Sequence, residues 1–235
     1  MNAIKVSDYT SLSKKAATLI AAQVIHNPKS VLGLATGSTP VGAYTELISL
    51  YEQGVIDFTG ISTVNLDEYY GLPGEHPQSY DYFMRQKLFD RVNIAPANTH
   101  IPNGMAVDPD RECLRYEELI DRLGGIDFQL LGIGRNGHVG FNEPGESFLP
   151  ITHLTDLTED TLSANSRFFG PGEKPPTQAI SMGIGTIMRA RKVLLIANGP
   201  DKKWALEKTM NGPVTPQVPA SVLRFHPDVT IIYCD

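Results

Sequence analysis

The chain has 235 residues, 41% hydrophobic and 20% charged, with a formal net charge of −6. No apolar run approaches the ~20 residues of a membrane span, and an acidic chain without clustered Lys and Arg lacks the phosphate contacts on which nucleic-acid binding rests. Neither membrane nor nucleic-acid partners are expected, and the opening MNAIKVSDYT, with no apolar export segment, reads as the start of a cytoplasmic protein.

In chain order, helical spacing over 10–26 precedes the apolar run VLGLA at 31–35, and a second helix over 40–53 places Pro40 at its first position. The run ISTVNL at 61–66 leads to helices over 78–90 and 108–123, followed by FQLLGIG at 128–134. Next comes a long connection, 143–177, with Pro and Gly at both ends and no strong strand, read either as a lid or as a plain excursion. QAISMG at 178–183, VLLIAN at 193–198, a helix over 201–210 opened by Asp201, and VTIIYC at 229–234 complete the series. Continuously apolar strands separated by helices describe a doubly wound, mostly parallel α/β sheet with helices on both faces. The chain is read as a single domain, 1–235, with its ligand at the carboxyl ends of the strands. Cys113 and Cys234 lie far apart without a CxxC pair, so both read as small core residues.

Three strand ends carry chemistry. GLATGSTPVGAYTEL at 33–47 leaves a strand through a Gly- and hydroxyl-rich turn into a helix, the arrangement in which free amides and the helix dipole hold a phosphate. The lysine of a nucleotide-binding P-loop is absent, and Ser38 and Thr39 alone would equally serve as helix caps. VNLDEYYGLPGEHPQSY at 64–80 ends a strand in Asp67 and Glu68; one of them, partly desolvated in the crevice, can act as a base, the other reading being a solvated turn acid.

The third end is LLGIGRNGHVGFNEPG, 130–145. Gly132, Gly134 and Gly137 satisfy GxGxxG, but Gly140, Pro144 and Gly145 forbid the helix that a dinucleotide site needs. His138 and Glu143 lack the partners of a metal shell. A histidine beside a carboxylate suits a proton shuttle, or else a buried structural pair. Phosphate cradle, base and relay together point to proton transfer on a phosphorylated sugar.

GLATGSTP, NLDEYYGLPGEHPQSY, GIGRNGHVGFNEPG, ANSRFF and NGPDKKWAL resemble, in the same order and across essentially the whole chain, the motifs of the glucosamine-6-phosphate deaminases. That family converts glucosamine 6-phosphate and water to fructose 6-phosphate and ammonia. The resemblance implies a Rossmann-like fold, no metal, no organic cofactor and a small-molecule sugar phosphate as partner. By the same resemblance Asp67 is the base at C2, His138 opens the pyranose ring, and Glu143 and Asn136 complete its relay. Asn136 stands where some members carry aspartate, and an amide can orient His138 without stabilising an imidazolium as a carboxylate does. The resemblance also places Gly37, Ser38, Thr39, Arg167 and Lys202 around the phosphate; without it, Arg167 and Lys202 read as surface charges. Tyr69, Tyr70, Phe168 and Phe169 either line the pocket or are ordinary core aromatics.

Longer members are hexamers activated by N-acetylglucosamine 6-phosphate through basic residues after FNEP and an extended C-terminal segment. The matching positions here are Glu146, His153 and Thr155, so the comparison implies a monomer without that response. The competing readings are a 6-phosphogluconolactonase-like hydrolase, which would lack a match to the glutamate of GFNEPG, a deaminase for the galactosamine epimer, and a non-catalytic sugar-phosphate sensor.

Overall fold

The computed structural model describes residues 1–158, 161, 162, 169 and 174–235. Its elements are β1 (Asn2–Lys5), α1 (Tyr9–His26), β2 (Val31–Leu34), α2 (Ser38–Glu52), β3 (Ser62–Asn65), β4 (Asp67–Tyr69), α3 (Tyr80–Lys87) and β5 (Thr99–His100). There follow α4 (Pro109–Arg122), β6 (Phe128–Leu131), β7 (His153–Asp156), β8 (Gln178–Ser181), α5 (Ile184–Met188), β9 (Val193–Asn198), α6 (Lys203–Asn211) and β10 (Val229–Cys234). Local chemistry sets the helix starts. Asp8 accepts the Ser11 amide, Ser79 that of Tyr82 and Asp108 that of Arg111, each satisfying a first-turn donor that has no partner within its helix. Along α1, Leu12, Ala16, Ile20 and Val24 recur every fourth residue and form its buried stripe.

Seven strands form one sheet in the order β1-β10-β9-β6-β2-β3-β5, every neighbouring pair parallel. The first half winds outward from β2 through β3 to β5, and the second runs the other way from β6 through β9 and β10 to β1. The winding reverses between β2 and β6, so a crevice for ligand is expected at their carboxyl ends. The apolar run of β9, Val193 to Ala197, is completely buried in the main core, where it meets β10 residues such as Ile231 and Ile232. Among the described residues no helix is long and apolar enough to cross a membrane.

Two expectations are corrected. The run at 178–183 does not join the parallel sheet: β8 is the centre of a separate antiparallel sheet, β4-β8-β7. Burial on both sides gives β8 the same continuous apolarity as a parallel strand, which is why its sequence reads as one. Within 143–177, where no strong strand is expected, His153–Asp156 form β7; its partly exposed residues pair with β8 on one side only and need no apolar run. The rest of the lid expectation falls partly on residues outside those described. The chain passes between the two sheets at Leu66, whose amide donates to Leu34 O at 3.2 Å and whose carbonyl accepts from Met182 N at 2.7 Å.

Candidate functional site

Four neighbouring strands, β9-β6-β2-β3, deliver the sequence-predicted residues to one edge of the sheet. Lys202 follows β9, His138 and Glu143 follow β6, Ser38 and Thr39 follow β2, and Asp67 follows β3. Parallel strands lie about 4.8 Å apart, so these segments follow one another side by side along the carboxyl ends of the sheet.

The turn after β6 is built around the imidazole. Its ring lies against the α-carbon of Gly134, where a Cβ would come within 2.3–2.5 Å of three ring atoms; only glycine leaves that space. His138 Nδ1 stands 3.2 Å from Glu143 Oε2, the Asn136 amide donates to the same oxygen at 2.7 Å, and Asn136 Oδ1 accepts the His138 backbone N–H at 3.1 Å. Thr161 donates to the other oxygen, Oε1, at 2.6 Å. Burial disfavours the ionised Glu143, but hydrogen bonds from His138, Thr161 and Asn136 and the His138 charge outweigh it and hold the carboxyl down to about 2. An ionised carboxylate therefore faces Nδ1, which directs Nε2 as the ring atom free to move a proton. The side chain of Glu143 is 9% exposed and that of His138 24%, so the acid is enclosed and the imidazole accessible.

Asp67 and Glu68 separate clearly. The Glu68 carboxylate accepts the amides of Tyr69 at 2.8 Å, Tyr80 at 2.9 Å and Asp81 at 3.0 Å, and so anchors the first turn of α3. Burial pushes Glu68 up to about 7 against the pull of those three donors. Asp67 stands opposite Ser181 in the small sheet and lies close to the backbone of Gly140 in the loop between His138 and Glu143. Burial, and then the Glu68 charge, push it up to about 8. Three amide donors favour the ionised form of Glu68, whereas Asp67 is the more strongly raised of the two acids. Alternation along the strand does not distinguish them, since the capping contacts of Glu68 come from residues twelve and thirteen positions on.

At β2 the helix begins earlier than the position of Pro40 suggests. Gly37, at φ +92, is the cap, Ser38 the first helical residue and Pro40 the third; that proline is tolerated because a first-turn N–H has no partner within the helix. No side chain caps α2, so Ser38 and Thr39 are not used as caps, and their amides and hydroxyls stand at the positive end of a 15-residue helix. Lys202 closes a turn after β9, its ammonium 3.2 Å from Asp201 and its side chain 21% exposed. Arg167 and Phe168 lie outside the described residues.

Tyr69 and Phe169 join Tyr80 and Phe141 in a small aromatic cluster, with Tyr69–Tyr80 centroids 4.8 Å apart and Tyr69–Phe169 centroids 6.2 Å apart. Tyr69 is thus a packed core aromatic, while the Tyr70 hydroxyl donates to Ala106 O. Among the described residues no three His, Cys, Asp or Glu side chains converge as a metal-binding group. Thr161, as a donor to Glu143, is missed by sequence reasoning because its segment lacks periodicity.

The family described as glucosamine-6-phosphate isomerases/6-phosphogluconolactonase matches residues 7–232. The chain belongs to this family. Within it, the chain is 57% identical over 234 residues, all of this chain and 99% of that protein, to the glucosamine-6-phosphate deaminase of Lachnoclostridium phytofermentans. It is 56% identical to the deaminase of Halothermothrix orenii, covering 99% and 96% of the two chains. The structure superposes on a solved family member, a monomeric glucosamine-6-phosphate deaminase, with a TM-score of 0.97 at 44% identity, covering 100% and 97% of the chains. A 6-phosphogluconolactonase from Thermotoga maritima, at 21% identity and a TM-score of 0.78 over 100% and 99% of the chains, shares the family's fold.

Proposed function

We propose that the protein is a glucosamine-6-phosphate deaminase, converting glucosamine 6-phosphate and water to fructose 6-phosphate and ammonia. The observation that carries this reading is the placement, after neighbouring strands, of a buried aspartate whose carboxyl is pushed up to about 8 by burial and a histidine held by an ionised glutamate. An ester hydrolysis needs no second proton-transfer centre of that kind, whereas an aldose-to-ketose shift with loss of an amine needs two.

In this mechanism His138 takes the proton of the anomeric hydroxyl through Nε2 and returns it to the ring oxygen, breaking the C1–O5 bond and leaving an open-chain aldehyde. Glu143 steadies the imidazole while it carries the extra proton, and Asn136 fixes both partners. Asp67 then removes the proton at C2, now acidified by the C1 carbonyl; the electron pair forms the C1–C2 double bond, O1 takes up the proton that the substrate ammonium releases, and an enolamine results. Protonation at C1 leaves an iminium at C2, to which water adds; the carbinolamine expels ammonia and becomes the ketone. A substrate ammonium beside Asp67 favours its ionised form on binding. The phosphate, held by the amides and hydroxyls of Gly37, Ser38 and Thr39 with Lys202 and Arg167, supplies binding energy remote from the reacting carbons.

A monomeric enzyme is supported by the 0.97 TM-score to a monomeric deaminase, and an unregulated one by the acid at Glu146 and by His153, whose ring contacts Ile151 O at 2.9 Å. Incubation with glucosamine 6-phosphate, galactosamine 6-phosphate and 6-phosphogluconolactone, with ammonia and acid release measured, tests the assignment. Ammonia from the first compound is the expected result; acid from the lactone alone, or no turnover of any, overturns it.

A further inference from the structure

We infer that Ser181 is a positioning residue, fixing the loop that carries His138 and Glu143 at its working distance from Asp67; the inference rests on the deaminase reading above. Strand β8 bears none of the groups assigned to chemistry, yet it holds both halves of the site. In the antiparallel register Ser181 stands directly opposite Asp67, so the two side chains share one face of the small sheet. The Ser181 hydroxyl oxygen accepts the Phe141 N–H at 3.0 Å, and Phe141 lies between His138 and Glu143 in the chain. One residue on, Met182 O accepts from Asn142 Nδ2 at 2.8 Å, and Met182 N donates to Leu66 O at 2.7 Å, immediately before Asp67. Residues 181 and 182 therefore grip the loop on one side and the base-bearing segment on the other.

Gly140 shows how close the fit is. A Cβ there would lie 3.1 Å from Ser181 Oγ and 3.4 Å from Asp67 Oδ2, and the backbone holds φ at +58. The loop backbone thus packs close against both side chains, Ser181 Oγ being the tighter of the two contacts. Ser181 is 0% exposed, so it meets no substrate and acts through its neighbours. Without its hydroxyl the Phe141 N–H is left buried and unpaired, which drives the loop to shift in search of a partner. Ring opening and C2 deprotonation act on adjacent atoms of one substrate, and a displacement of about 1 Å between two such groups costs on the order of 100-fold in rate.

The test compares wild type, Ser181→Ala, Asp67→Asn and the double variant by ammonia release from glucosamine 6-phosphate. Ser181→Ala is expected to lower kcat at least ~10-fold with KM within about twofold, and to lose far less when Asp67 is already Asn, because two residues acting as one unit are non-additive. A kcat within twofold of wild type, or the same proportional loss in both backgrounds, overturns the inference. If Ser181→Ala does not fold, Ser181→Cys, which keeps the size but replaces the hydroxyl by a weak acceptor, takes its place: a kcat loss with KM retained supports the inference, and a wild-type kcat overturns it. Failure of the wild type itself to release ammonia removes the deaminase reading instead.

Discussion

The side-chain amide of Asn136 donates to Glu143 Oε2 at 2.7 Å, the same oxygen that faces His138 Nδ1 at 3.2 Å. An aspartate at 136 would bring a second negative charge against that oxygen and remove one of the donors that hold Glu143 at about 2. A carboxyl with a depressed folded-state value adds stability above its unfolded value near 4.3, and that stability fades as pH falls through the folded value. Asn136→Asp raises the folded value and so forfeits stability at neutral pH, by about 1–3 kcal/mol on the scale of a lost bond to a charged group. Urea unfolding at pH 4 and pH 7 checks this: the deficit against wild type is expected to be larger at pH 7, and an equal deficit at both refutes it.

Asp67→Asn is expected to lower kcat by at least ~100-fold, the scale of a positioned base, with little change in substrate binding. In the wild type kcat/KM should rise with pH through about 8, the value to which burial and Glu68 push Asp67, and this limb should vanish in the variant. The stability effect has the opposite sign. A carboxyl whose folded value is raised favours folding below its unfolded value near 4 and loses that advantage as pH rises toward 8. Asn at 67 removes that loss, so its melting temperature relative to wild type should be higher at pH 8.5 than at pH 5 by at least ~3 °C, roughly 1 kcal/mol in a chain of this size. Near-normal turnover, or no pH-dependent gain in melting temperature, counts against the buried base.

The parallel sheet and the three chemical strand ends were legible because both rest on local pattern: apolar runs at 31–35, 128–134 and 193–198, and Gly-rich turns where strands stop. The second sheet was not legible, because pairing of Asp67 with Ser181 joins residues 114 positions apart and leaves no period in either segment. The same limit hid which acid faces the crevice. Glu68 is defined by the amides of Tyr80 and Asp81, contacts that exist only once α3 has docked. Thr161 escaped for a similar reason, as a lone hydroxyl in an aperiodic stretch that reaches Glu143 through the fold.

His138→Gln separates the two proton-transfer steps. With cyclic glucosamine 6-phosphate the variant should lose on the order of 100-fold, the contribution of a positioned acid–base group. An open-chain analogue with a C1 aldehyde and a C2 amine bypasses ring opening and should lose much less, since Asp67 is carried by a different strand end. Rates of C2 proton exchange into deuterated water with each compound give the comparison. Equal losses would assign His138 to the C2 step as well.

Glu68→Gln tests whether the second acid acts on the first. Glutamine retains one acceptor oxygen but turns an NH2 group toward the amides of Tyr69, Tyr80 and Asp81, so the start of α3 loses at least one charge-assisted bond, a cost of about 1–3 kcal/mol. Because the Glu68 charge is the second cause of the high proton affinity of Asp67, its removal should move the acidic limb of kcat/KM to lower pH. The two effects have different origins and need not scale together: the stability loss comes from α3, the shift from electrostatics at Asp67. A variant that is destabilised while its pH profile stays in place would confine Glu68 to helix capping, leaving burial alone to set the proton affinity of Asp67.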